Sequence, residues 1–147
     1  MNFKERVVKK LNENIPEIIK HHKRIAVVGL SDKTYRPSHG VATLMNDSGY
    51  DVIPVNPNCV EVFGKKSYKS LLDVPGEVDL VDVFRRPEYV DEIADQAIQI
   101  GAKALWLQLG VIDYDAAQKA MEAGLDVVMD RCWAIEYHKY GGNASIT

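Results

Sequence analysis

The residues in this chain best suited to chemistry are cations, hydroxyls and glycines rather than acid–base pairs. Gly29, Ser31, Lys33, Arg36 and Ser38 fall close together, directly after the apolar run 25–28. The run reads as a strand buried on both faces, and a helix is expected to begin near Ser38. A helix leaves its first N–H groups unpaired and partly positive, so this turn suits a phosphate, with Lys33 and Arg36 adding formal charge. An ordinary connecting loop with solvated charges and a serine cap would carry the same residues. Arg85 and Arg86 form a second cationic pair, in the loop after another apolar run.

Groups for nucleophilic or acid–base work are poorly arranged. None of His21, His22, His39 and His138 stands in a strand-end loop beside an evident acid. The adjacent His21 and His22 point in different directions on a helix and make a poor chelate. His39, at the start of the loop's helix, is placed either to donate to a phosphate or simply to face solvent. Cys59 and Cys132 are too few for a secreted disulfide scaffold and lack the spacing of a paired-cysteine zinc site. Each reads as a small buried residue or as a thiol on the ligand edge. Asp82 shares a strand face with Leu80 and Phe84, so it marks a polar end of the sheet or pairs with a basic neighbour. No pair of carboxylates argues for a hydrolase, and the residues lean against catalysis without excluding it.

The elements that must position these groups follow from apolar periodicity. Phe3, Val7, Leu11, Ile15 and Ile18 recur at helical spacing, with Pro16 predicting a break near Asn14 and a second short helix to about His21. Strands are expected at 25–28, 51–55, 79–84, 104–107 and 125–129, and helices from Ser38 to Gly49, from Pro87 to Gly101 and from Asp113 to Gly124. Residues 58–78 read as a connection with a short helix at 68–72, and 130–147 as a tail loose at its end. Pro54, which cannot donate to a ladder, marks an edge or irregular strand. The fold class is α/β: a doubly wound, Rossmann-like, five-stranded, mainly parallel sheet with helices on both faces and an N-terminal amphipathic helical segment. One domain is expected, with an extension over 1–23, a core over 24–137 and a tail over 138–147. In such sheets the ligand lies beyond the carboxyl ends of the strands, where strand order reverses. That rule gathers the loops at Gly29, Asn56, Phe84-Arg85, Gln108 and Asp130 on one edge.

Composition narrows the partners. The chain has 147 residues and a net charge of -3, so no global basic field is available for nucleic acid or an anionic membrane. No stretch approaches the roughly 20 apolar residues of a membrane span. The charged segment 1–10 lacks the apolar core of a signal peptide, and a cytoplasmic setting is expected. A dinucleotide site would need Gly-x-Gly-x-x-Gly after the first strand and an acid after the second, but Ser31 and Thr34 replace the later glycines and Val55-Asn56-Pro57 stands where the acid would be. No P-loop sequence is present.

The chain resembles the stand-alone coenzyme A-binding domains, related to the N-terminal domain of the succinyl-CoA synthetase alpha subunit. The resemblance is carried by residues 26–31, Arg36-Pro37-Ser38, 49–57, 81–87, 104–110 and 127–132, at four separate strand ends. It implies coenzyme A as ligand. Gly29, Ser31, Arg36 and Ser38 would cradle phosphates, aided by Lys33, with Val55, Asn56 and Pro57 at the adenosine. Phe84 and Arg85 would border the nucleotide, and Gln108 and Gly110 the pantetheine. The synthetases' phosphorylated histidine lies outside the resembling region. The expected function is binding of coenzyme A or an acyl-CoA without chemistry of its own, as a sensor, carrier or accessory subunit. An atypical NAD(P)-dependent oxidoreductase, or an interaction module that has lost its ligand, remain as alternatives. Whether the apolar stripe from Phe3 to Ile18 packs on its own sheet or on a second copy is left open.

Overall fold

The computed structural model describes residues 2–141. Five parallel strands form its central sheet: β1 (Arg24–Val28), β2 (Asp51–Val55), β5 (Leu80–Val83), β6 (Ala104–Leu107) and β7 (Asp126–Met129). Their order is β2-β1-β5-β6-β7. The chain moves outward from β1 to β2, then returns to β1's other side, so strand order reverses between β1 and β5. Pro54 lies on edge strand β2, where its missing N–H leaves no gap in the ladder to β1.

Helices cover both faces. α4 (Val90–Gln99) and α5 (Tyr114–Glu122) bury Val90, Ile93, Ala94, Ala97 and the alanines 116, 117 and 120 against one side. The other is covered by α2 (Ile15–His21), α3 (Pro37–Asp47) and α6 (Trp133–Tyr140), around Met45, Trp106 and Trp133. Pro37 opens α3, where a missing N–H costs nothing, and Asp113 caps α5 by accepting from the Ala116 N–H at 3.0 Å.

The N-terminal stripe packs on the chain's own core, and it does so on both faces. Val7 of α1 (Phe3–Lys10) and Leu11 just after it join the α4/α5 side, Ile15, Ile18 and Ile19 join the other, and Phe3 stays exposed. Between them the chain crosses the edge of β7. Asn12, held at φ 62°, donates its backbone N–H to the Val127 carbonyl (3.0 Å) and accepts the Met129 N–H on its side-chain oxygen (2.8 Å). Two of the edge strand's outward backbone groups are thereby paired.

Two expectations need correction. The connection 58–78 contains a small antiparallel hairpin, β3 (Glu61–Val62) and β4 (Lys65–Lys66), followed by a 3-10 turn at Leu71–Asp73 in place of a helix at 68–72. Its two-residue turn, Phe63-Gly64, has both φ values positive, as the right-handed twist of a tight hairpin requires. The segment read as a tail after β7 holds a further helix, α6, which runs to Tyr140. Trp133 stacks on Tyr137 at 5.0 Å, and Tyr50 meets both rings edge-on while its hydroxyl donates to the Ile19 carbonyl. The expected loose end, at 142–147, lies outside the described residues.

Candidate functional site

The loops after β1, β2, β5, β6 and β7 enclose a cleft of about 850 Å³ across the strand reversal. Gly29, Ser31, Lys33, Arg36, Ser38, Asn56, Phe84, Arg85, Gln108 and Gly110 all line it. Lys33, Arg36, Arg85 and Arg86 supply four cations along its wall, against one acid, Asp32. Val55 and Pro57 do not line it. The Val55 side chain is 3 % exposed in the core beneath the sheet, and Pro57 is exposed outside the cleft.

The floor is set by Gly29. It sits at φ +89°, donates its N–H to the Val55 carbonyl (2.8 Å), and passes so close to β5 that a Cβ would stand 2.4 Å from the Phe84 carbonyl oxygen. No other residue type fits there without shifting backbone. Val55 therefore acts on the site through its carbonyl alone.

Several hydroxyl and amide groups named from sequence are already engaged in shaping the loop. The buried Ser38 hydroxyl accepts from the Ser31 N–H at 3.1 Å, and the Ser31 hydroxyl accepts from the Lys33 N–H at 3.0 Å. Asn56 donates from its side chain to the Leu30 carbonyl (3.0 Å) and accepts from the Asn58 N–H (2.9 Å), tying the β2 loop to the β1 loop. The loop is pre-formed by these bonds. The cationic side chains lie more freely: Arg36 is exposed at the N-terminus of α3, and the Arg85 guanidinium lies 4.2 Å from the Tyr89 ring centroid.

At the far end, the Gly110 N–H donates to Asp130 (2.8 Å), both residues being in the left-handed region. Gln108 donates from Nε2 to Oδ1 of Asp82 at 2.8 Å. Asp82 is wholly buried, and that burial pushes its carboxyl up to about 7. Among the described residues it has no basic partner, contrary to one of the two readings its position on the strand suggested. Trp106 is fully buried and donates its indole N–H to the Arg131 carbonyl.

His39 lies against Phe63 and beside Thr43, and it does not line the cleft. Among the described residues no group of His, Cys, Asp and Glu is disposed to hold a metal ion, and no helix is long and apolar enough to cross a membrane. Residues that the sequence reading left out of the site also line the cleft, including Tyr35, Asn58, Leu109 and Val111. Loop membership would have pointed to Asn58 and Leu109. Cys59 and Cys132, left open in sequence, both reach the cleft wall, and both are free thiols.

A doubly wound parallel sheet with a cation-lined cleft at its strand reversal defines the class: a Rossmann-like α/β domain open at its strand ends. The chain belongs to the CoA binding domain family, whose model matches residues 23–138. It is 44% identical over 118 residues to the uncharacterized protein YneT of Bacillus subtilis, covering 80% of this chain and 87% of that one. A solved structure of a hypothetical protein from Pyrococcus horikoshii is 42% identical and superposes with a TM-score of 0.84, over 87% of this chain and 90% of the other. The acetate–CoA ligase [ADP-forming] II of Archaeoglobus fulgidus is 29% identical over 99 residues, which are 65% of this chain and 15% of the ligase.

Proposed function

We propose that the cleft binds coenzyme A or an acyl-CoA. The observation that carries this reading is the concentration of Lys33, Arg36, Arg85 and Arg86 along the wall of one cleft in a protein whose net charge is -3. Coenzyme A carries about four negative charges on its phosphates, which charge-assisted hydrogen bonds from arginine would hold. The cleft crosses the ends of five strands, about 19 Å at ordinary strand spacing, a reach that suits an elongated ligand better than a lone phosphate. In this reading Gly29, Ser31 and the cations take the phosphates, the Asn56–Asn58 turn borders the adenosine, and Gln108 and Gly110 border the pantetheine. Membership of the CoA binding domain family supports the same ligand.

In this reading the chain is one binding unit, its N-terminal extension crossing the sheet edge at Asn12. No side chain at the cleft is assigned a catalytic step, and the function is recognition of the coenzyme, as a sensor, carrier or accessory subunit. Two free cysteines fit a reducing compartment such as the cytoplasm. Denaturing the purified protein and weighing the small molecule it releases tests the ligand's identity. Coenzyme A or an acyl-CoA is expected; a nicotinamide dinucleotide would overturn the assignment.

A further inference from the structure

Asp82 is the most deeply buried carboxyl among the described residues, at 0 % exposed. Its cross-strand neighbours are Val27 on β1 and Trp106 on β6. The helices over that face contribute Ile18, Ile19, Val41, Met45, Trp133 and Tyr137. Their titratable groups are occupied elsewhere: Glu136 faces Arg131 (3.8 Å), His39 lies on Phe63, Tyr137 stacks on Trp133, and Glu17 and His21 pair with each other in solvent. Cys132, at the start of α6, lines the cleft. Oδ1 of Asp82 accepts from Gln108, and Oδ2 has no hydrogen-bond partner among the described residues.

Gln108 is 4 % exposed and lines the cleft. With one Nε2 hydrogen given to Asp82, the amide carbonyl is the acceptor left for a ligand. A protonated Asp82 carries an O–H that needs an acceptor, and the same amide turned over supplies one, leaving its NH₂ for the cleft. The two charge states of one buried carboxyl thus favour opposite faces of a binding residue.

We propose that Asp82 is a positioning residue of the cleft: through Gln108 it sets whether the ligand meets an amide carbonyl or an amide NH₂, and in its ionised state it selects a ligand N–H donor, such as a pantetheine-type amide. The ligand's identity rests on the coenzyme A reading; the coupling of Asp82 to Gln108 does not. Burial brings the carboxyl into the neutral range, so both states are populated under ordinary conditions. Binding of a donor then releases a proton from Asp82.

The test begins without ligand, by following the Gln108 side-chain NH₂ signals by NMR from about pH 5.5 to about pH 8.5. They are expected to titrate in the wild type and to stay still in Asp82→Asn. Coenzyme A affinity of the wild type should then rise about fivefold from the lower to the upper end, the worth of one hydrogen bond, while that of Asp82→Asn stays level. Gln108 signals that do not move, or that move equally in the variant, would overturn the proposal. If Asp82→Asn does not fold, the wild-type Asp82 carboxyl carbon signal replaces it; titration in step with Gln108 supports the coupling and independent titration refutes it. A protein that fails to bind coenzyme A while Gln108 titrates contradicts the assigned ligand and leaves the Asp82–Gln108 coupling standing.

Discussion

Gly29 and Phe84 meet backbone to backbone at the point where strand order reverses, with room between them for a hydrogen and not for a methyl group. The contact fixes the floor of the cleft, because the loop carrying Ser31, Lys33 and Arg36 leaves from Gly29. Gly29→Ala adds both a 2.4 Å clash with a carbonyl oxygen and an alanine at φ +89°. The cost expected is about 2 kcal/mol or more. That corresponds to a melting temperature lower by roughly 6 °C for a chain of this size. Calorimetric melting checks it, and an unchanged midpoint would show that the β1 and β5 loops can part freely.

Arg36 and Arg85 reach the cleft from two different elements, the N-cap of α3 and the loop after β5. Replacing both with alanine should weaken coenzyme A binding by about a hundredfold, since each loses a charge-assisted bond to phosphate. The salt dependence of the remaining affinity should also flatten. Titration calorimetry at two salt concentrations measures both. Equal affinity in the double variant would place the ligand elsewhere.

Asp82 gives a pH signature to stability. Its carboxyl is raised by burial from 3.8 to about 7 in the folded chain, so between those values the folded state holds a proton that the unfolded state has released. The contribution to stability is therefore full below about pH 4, declines as pH rises, and is lost above about pH 7. Asp82→Asn removes this group and leaves the others in place. The variant should gain on the wild type by a few kcal/mol between about pH 5 and about pH 8. Melting curves of the two proteins across that range give the difference directly, and a constant difference would mean that Asp82 does not titrate there.

Trp133 is wholly buried under Tyr50 and Tyr137, and it anchors α6 to the sheet. Trp133→Ala should cost about 3–5 kcal/mol, as large aromatic truncations in a core do. Because the cleft residue Cys132 precedes it, ligand affinity should fall with stability. Chemical denaturation tests the first point. A loss below about 1 kcal/mol would mark α6 as a loosely attached appendage.

The strand and helix order was legible because continuous apolar runs alternate with 3.6-residue stripes, and Gly49, Gly101 and Gly124 punctuate them. α6 was not, because its buried face is carried by Trp133, Glu136 and Tyr137 while the apolar Ile135 faces solvent, too short and mixed a pattern to stand out. The hairpin at 61–66 escaped for the same reason, with two residues in each strand. At the site, cations and glycines announced an anion-binding turn through their chemistry. What the sequence could not show is how the polar groups divide their bonds. Ser38 and Asn56 spend their side chains holding loops together, Val55 turns into the core, and Gln108 is held from beneath by Asp82. Those assignments depend on contacts between residues far apart in the chain.

The central claim is that this cleft holds coenzyme A, and thermal melting with the free coenzyme tests it most directly. At about a hundred times its dissociation constant the ligand should stabilise the fold by about 2.7 kcal/mol. The melting temperature should then rise by roughly 5–10 °C, with a much smaller rise for Arg36→Ala/Arg85→Ala. No rise in the wild type at millimolar coenzyme A or acetyl-CoA would contradict it.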